Sequence, residues 1–228
     1  IAGQWDRLAD SDRQRREFVA NISHDLRTPL TSLLGYLETL TLKDERLTAE
    51  ERRQYLTIAL RQGNKVRHLS QQLFELARLE HGGIKLQPEK FVLAELVQDV
   101  AQKFDLAIAT RHIRLQLSLA GGLPPVVADL SMMERVLTNL LDNAIRHTPD
   151  GGSISLTARQ QGAEMVVEVA DSGPGVSGEL RATLFERPSV LEPGQSPESR
   201  GGLGLMIVRR MLQLHGGDIH LVDVPAGA

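Results

Sequence analysis

The 228-residue chain has no cysteine, which excludes disulfide scaffolds, thiolate zinc sites and cysteine nucleophiles. No apolar run approaches the roughly 18 residues that span a bilayer, and nothing at the N-terminus resembles a signal peptide. Neither sign of charge dominates. With 26 Lys plus Arg against 29 Asp plus Glu, the net charge is −3 and is spread along the chain, so no nucleic-acid or polybasic membrane surface is expected. Internal repeats and low-complexity tracts are also missing. Aromatics amount to only 4%, yet hydrophobic residues reach 41%, enough to bury the core of one large or two small domains. The chain opens at Ile1 in polar helical sequence. We therefore read residues 1–15 as helical entry from a preceding segment, and Trp5 as a packing residue.

From Trp5 to Leu42 the composition is helical, and Val19, Ile22, Leu26, Leu30, Leu33, Leu37 and Leu40 recur at steps of three and four, one stripe on a long helix. Polar residues 41–46 interrupt it. Thr48-Ala-Glu-Glu51 has capping-box spacing and predicts the start of a second helix. Along it Tyr55, Ala59, Val66, Leu69, Leu73 and Leu76 keep near-heptad spacing until Gly82-Gly83. The first 83 residues thus read as a helical hairpin, and two copies forming a four-helix bundle would cover its apolar seam.

After Pro88 short apolar runs alternate with turn signals: Phe91-Val-Leu, the alternating stretch from Ile113 to Leu119, Gly121-Gly-Leu-Pro-Pro125, Ser153 to Thr157, and Met165 to Ala170. Leu130 to His147 and Leu203 to Leu214 read as amphipathic helices, giving an α+β domain with helices on a mixed sheet. Residues 191–200 read as a loop.

On the first helix His24 lies two residues from both Ile22 and Leu26, so at ~100° per residue it points away from the stripe and should be exposed. Asp25 sets a carboxylate beside the imidazole, and Pro29 removes the amide that would bond the Asp25 carbonyl. The run Phe18-Val-Ala-Asn-Ile-Ser-His-Asp-Leu-Arg-Thr-Pro-Leu30 resembles the phosphoacceptor box of the sensor histidine kinases of bacterial two-component systems. The resemblance implies that His24 attacks the γ-phosphate of ATP, that Asp25 holds its other ring nitrogen, and that Thr28 helps orient water for dephosphorylating a partner.

Further on, Asn139 and Asn143 sit one turn apart on a helix, where paired amides supply neutral oxygens suited to magnesium. By itself that pattern is ordinary on a surface helix. Asp171-Ser-Gly-Pro-Gly175 follows a predicted strand, and an aspartate there can accept from an exocyclic amine. Gly201-Gly-Leu-Gly204 leads into the last helix, whose N-terminus favours an anion. A dinucleotide fingerprint is the rival, but no strand precedes these glycines, and a Walker lysine is absent.

With Phe185-Glu-Arg-Pro188, these boxes stand in the order of the histidine-kinase catalytic domain of the GHKL (Bergerat) ATPases, so the resemblance covers about residues 12–220. It implies a helical hairpin over 16–83 forming a dimeric four-helix bundle, then an α/β sandwich over 84–228. It implies ATP-dependent autophosphorylation of His24 and transfer to an aspartate on a response regulator, with phosphatase activity toward that regulator. Asn143 would be the Mg2+ ligand and Asn139 its helper, with Arg146 and His147 near the phosphates. Asp171 would recognise adenine in a pocket shaped by Gly173 and Gly175. Phe185 would anchor a lid, and Gly202 and Gly204 would let it close. Thr31, Gly35 and Glu38 share the face of His24 and are candidates for recognising the regulator's receiver domain. The chain would be the cytoplasmic part of a homodimer held in the bacterial inner membrane by other segments. A hydrolytic ATPase of the gyrase or mismatch-repair type would leave His24 incidental.

Three features depart from the family pattern. Arg200 stands where a glycine is usual, and two readings stay open: its charge suits a phosphate, and its side chain would stiffen the lid. The loop after Phe185 is poor in aromatics. The family normally ends with another strand after Gly216-Gly217, whereas this chain stops at Ala228. His215 and His220 are too poorly spaced for a metal pair, and His68 and His81 read as exposed helix residues.

Overall fold

The computed structural model describes residues 2–42, 46–80, 84–176, 178–181, 183–185 and 203–222. Two compact units divide the chain, Ile1–Glu75 and Leu76–Ala228.

In the first unit α1 (Ala2–Leu42) and most of α2 (Ala49–Glu80) make the hairpin. The second helix starts where its capping box predicts. The Thr48 N–H and hydroxyl both donate to Glu51 Oε2, at 2.9 and 2.8 Å, and the Glu51 N–H donates back to Thr48 Oγ1 at 3.2 Å. Those bonds, the backbone one foremost, hold the Glu51 carboxyl below its ordinary range. Tyr36 and Tyr55 pack ring against ring with centroids 5.5 Å apart, and Ala59 is buried. The single stripe read on α1 splits in two. Ile22, Leu26, Leu33 and Leu40 are half-buried, whereas Val19, Leu30 and Leu37 are exposed, together with Leu34, Leu56, Leu60 and Phe74, which the predicted seam omits. Two helices share only one mutual seam, so the rest of a wide apolar face is left uncovered among the described residues.

The division between units falls inside α2 because its last turns belong to the second unit. Leu76 and Leu79 are buried, and the Leu79 carbonyl accepts from Arg210 Nε at 3.4 Å. There, β2 (Arg114–Leu119) runs parallel to the central β4 (Ser153–Gln161), and β5 (Glu164–Asp171) runs antiparallel to it. A separate antiparallel pair joins β1 (Pro88–Phe91) to β3 (Val126–Asp129). The sheet is mixed, as read. Its core is formed by Ile154, Leu156 and Ala158 of β4 with Leu93, Leu96, Val97 and Val100 of α3 (Leu93–Gln102) and Leu137, Leu141, Ala144 and Ile145 of α5 (Leu130–His147). Leu141 is fully buried, so its truncation to alanine should cost about 2–5 kcal/mol. The short helices α4 (Asp105–Thr110) and α6 (Gly178–Arg181) and the last helix α7 (Gly204–Leu214) complete the unit.

Phe91-Val-Leu is not all strand: β1 ends at Phe91 and Leu93 opens α3, since Leu93, Leu96, Val97 and Val100 recur at helical spacing. The strand Val126–Asp129 directly follows the Gly-Pro-rich turn and escaped the sequence reading. Residues 217–222 form no strand, and the rest of that segment lies outside the described residues, as do the loop at 191–200, His81 and the Trp5 side chain. His68 is exposed. Among the described residues no helix is long and apolar enough to cross a membrane.

Candidate functional site

On α1 the His24 side chain is 62% exposed, with Nδ1 3.5 Å from Asp25 Oδ1. The Asp25 carboxylate is itself mostly covered, at 18% exposure, so it presents a fixed charge to one edge of an open imidazole. Pro29 is buried and lies inside α1, which runs on unbroken through it. Thr28 Oγ1 donates to the His24 carbonyl at 3.2 Å, so its lone pairs remain available to accept from water. Thr28, Thr31, Gly35 and Glu38 are all exposed, on the same face as His24.

The second constellation is assembled around α5. Asp129 caps its N-terminus: Oδ1 accepts from the Met132 N–H (3.1 Å) and the Ser131 hydroxyl (2.7 Å), and Oδ2 from the Gln87 N–H (3.0 Å). Burial pushes the Asp129 carboxyl up, but these donors outweigh it and hold the group below its ordinary 3.8. Midway along the helix Asn139 and Asn143 are half-buried, one turn apart. Asn139 Nδ2 is buried with no hydrogen-bond partner among the described residues. An orphaned amide donor of this kind is costly unless a ligand or water meets it, and the amide oxygens beside it suit a hard cation. The donor set therefore fits a Mg2+-nucleotide.

At the C-terminal end His147 is half-buried. Burial, reinforced by the charge of Arg146 and opposed by that of Asp171, depresses its pKa below the ordinary 6.5, so the ring is neutral at pH 7. Arg146 itself pairs with Asp142 at 2.6 Å on the exposed side of the helix, one turn back. The Asp171 turn packs against this end of α5. Gly173 N–H donates to Asp171 Oδ1 at 2.8 Å, and a Cβ on Gly173 would lie 2.5 Å from that oxygen and 2.7 Å from the His147 carbonyl. Gly175 has a left-handed backbone, φ 74°. Phe185 is half-buried in a turn, and Gly204 is the first residue of α7. Arg200 and Gly202 lie outside the described residues.

The sequence marks His215 only as half of a poorly spaced histidine pair. In the structure both its ring nitrogens meet backbone: Nε2 accepts from the Asp129 N–H at 3.1 Å and Nδ1 faces the Met211 carbonyl at 2.7 Å. With Nε2 accepting, Nδ1 is the nitrogen placed to donate to the Met211 carbonyl. It ties the end of α7 to the start of α5 across 86 positions of sequence, a link for which one chain's sequence carries no signal.

Comparison with known proteins matches both parts of the chain to known domains. Residues 14–82 match the His Kinase A (phospho-acceptor) domain, and residues 128–228 match the histidine kinase-, DNA gyrase B- and HSP90-like ATPase domain. The signal transduction histidine-protein kinase BaeS of Escherichia coli is 33% identical over 96% of the chain, which spans 46% of that relative. The chain spans less than half the length of the curated relatives it matches. Among solved structures, the Acinetobacter baumannii histidine kinase AdeS is 27% identical with a TM-score of 0.67, covering 83% of this chain and 86% of that one. The histidine kinase ThkA, solved in complex with the response regulator protein TrrA, is 25% identical with a TM-score of 0.74, covering 95% of this chain and 62% of the other. A phosphoacceptor hairpin bearing an open histidine, followed by an ATPase domain of this type, places the chain in the family of sensor histidine kinases of two-component systems.

Proposed function

We propose that this chain is the catalytic part of its kinase: residues 16–83 serve as the dimerisation and phosphotransfer hairpin, and residues 84–228 bind ATP and present its γ-phosphate. The observation that carries the reading is the open imidazole of His24 with a fixed carboxylate at Nδ1. Asp25 favours the proton on Nδ1 and leaves the Nε2 lone pair as the nucleophile. Nε2 attacks the γ-phosphorus of ATP, the N–P bond forms, the bond to the β,γ-bridging oxygen breaks and ADP leaves. The Nδ1–H, now on a cationic ring, is held by the Asp25 carboxylate. An aspartate of a response regulator then takes the phosphoryl group from Nε2. Thr28 holds water for the reverse signal, hydrolysis of the phosphorylated regulator.

A loose phosphoryl-transfer transition state needs little covalent help, so the task of the second unit is positioning and charge neutralisation. Asn143, with Asn139 beside it, would hold Mg2+, which when bound neutralises charge on the phosphates. Asp171 accepts from the adenine amine in the pocket set by Gly173 and Gly175. His147, neutral, offers a hydrogen bond rather than a charge to the phosphates, and Arg146 reaches them only by leaving Asp142. Phe185 and Gly204 flank the segment that would serve as a lid, the part to which the resemblance also assigns Gly202 and Arg200. His24 and the nucleotide site lie on separate units, so the units must meet for transfer.

The exposed leucines of both hairpin helices support a homodimer, and Thr31, Gly35 and Glu38 offer a receiver domain an open face next to His24. The likeness to a histidine kinase solved with a response regulator supports that partner. The chain would act in the cytoplasm and reach the inner membrane only through other segments. Incubation with γ-labelled ATP tests the reading: label that is lost in acid and kept in base is expected, and acid-stable label would contradict it.

A further inference from the structure

The C-terminus of α5 has no glycine cap. Thr148 follows it in extended geometry (φ −71°, ψ 129°), and Pro149 comes next, so the last carbonyls need a partner from elsewhere. Arg111 supplies it. Its guanidinium donates to the Ile145 carbonyl, to the Thr148 carbonyl at 2.6 Å and to Asp150 Oδ1 at 2.8 Å, while its own carbonyl accepts from the Gly151 N–H at 3.0 Å. The side chain is two-thirds covered, and the left-handed backbone of His112 (φ 53°) turns the chain between α4 and β2 immediately after it. Between the two clamped carbonyls lies His147, whose own carbonyl is the wall against which Gly173 packs.

We infer that Arg111 is a positioning residue for the nucleotide site: by clamping the last turn of α5 it sets the distance from that helix to the Asp171 turn, and so the seat of the base. It touches neither the base nor the phosphates itself. Three donors in one planar fork can satisfy this set of acceptors, and a lysine, with a single nitrogen, cannot span it. The inference rests on the proposed nucleotide site and predicts a particular pattern of loss. The seat of the base should loosen, while the mid-helix amides Asn139 and Asn143, one to two turns away, keep their place.

The test is titration of the full chain with Mg-ATP and Mg-GTP, for the wild type, Arg111→Lys and Arg111→Ala. Arg111→Lys should remain folded, bind ATP roughly three- to tenfold more weakly and lose part of its preference for ATP over GTP. Should Arg111→Ala fail to fold, Arg111→Lys decides. Unchanged ATP affinity in folded Arg111→Lys overturns the inference. An equal weakening of both nucleotides also overturns it, since that is the mark of a residue that only stabilises the fold. A wild type that binds no ATP overturns the nucleotide-site reading itself, a separate failure visible before any variant is compared.

Discussion

The His147 carbonyl and Gly173 are in such close approach that a single added carbon on the glycine would sit 2.7 Å from the oxygen. Both neighbours in the way are short of freedom: one is backbone at the end of a packed helix, and the other is the Asp171 carboxylate that the Gly173 amide holds. Gly173→Ala should therefore push the Asp171 turn off α5 and weaken ATP binding by tenfold or more, on the order of the 1–3 kcal/mol that overpacking costs. Calorimetric titration with Mg-ATP checks this, and hairpin dimerisation measured in parallel should not change. Wild-type affinity in the variant would show that the turn does not shape the pocket.

Neutral His147 gives the second unit a pH dependence of known sign. Its pKa is depressed in the fold, so the unfolded chain takes up the proton first as pH falls through 6.5, and folding stability is present in full above that value and declines below it. Melting temperature should drop between about pH 7.5 and pH 5.5, and His147→Gln should flatten that drop. Equal slopes in the two proteins would mean that other groups carry the dependence.

Much of the site was legible because its signals are local. The Thr48–Glu51 capping box, the outward direction of His24 and the shared face of Asn139 and Asn143 depend on spacings of two to four residues, which helix geometry converts directly into place. What escaped the sequence is held by distant pairs. The clamp of Arg111 on the end of α5 and the bridge from His215 to Asp129 join residues 34 or more positions apart, and nothing in either local sequence marks them. Val126–Asp129 was hidden for another reason: four residues after a Gly-Pro turn are too few to show a period, and the strand exists only through its partner Pro88–Phe91.

The same logic explains the hairpin. A heptad reading finds the seam between α1 and α2, yet Leu34 and Leu60 remain 50% and 68% exposed on the outer side of one chain. If a second copy covers them, Leu60→Glu should convert the dimer to monomer, because a carboxylate placed in an apolar interface loses its hydration without gaining a partner. Light scattering or sedimentation reads the result, and ATP affinity should stay within twofold of wild type. A variant that remains dimeric at micromolar concentration would move the interface elsewhere.

One comparison decides whether His24 is the nucleophile and the nucleotide site belongs to the other unit. The wild-type chain and His24→Gln are incubated with γ-labelled Mg-ATP, and base-stable, acid-labile label is counted alongside ATP affinity. Complete loss of label with affinity unchanged is expected, since the glutamine alters only an exposed side chain on α1. Acid-labile label persisting in His24→Gln would contradict it and assign the phosphoryl group to another histidine.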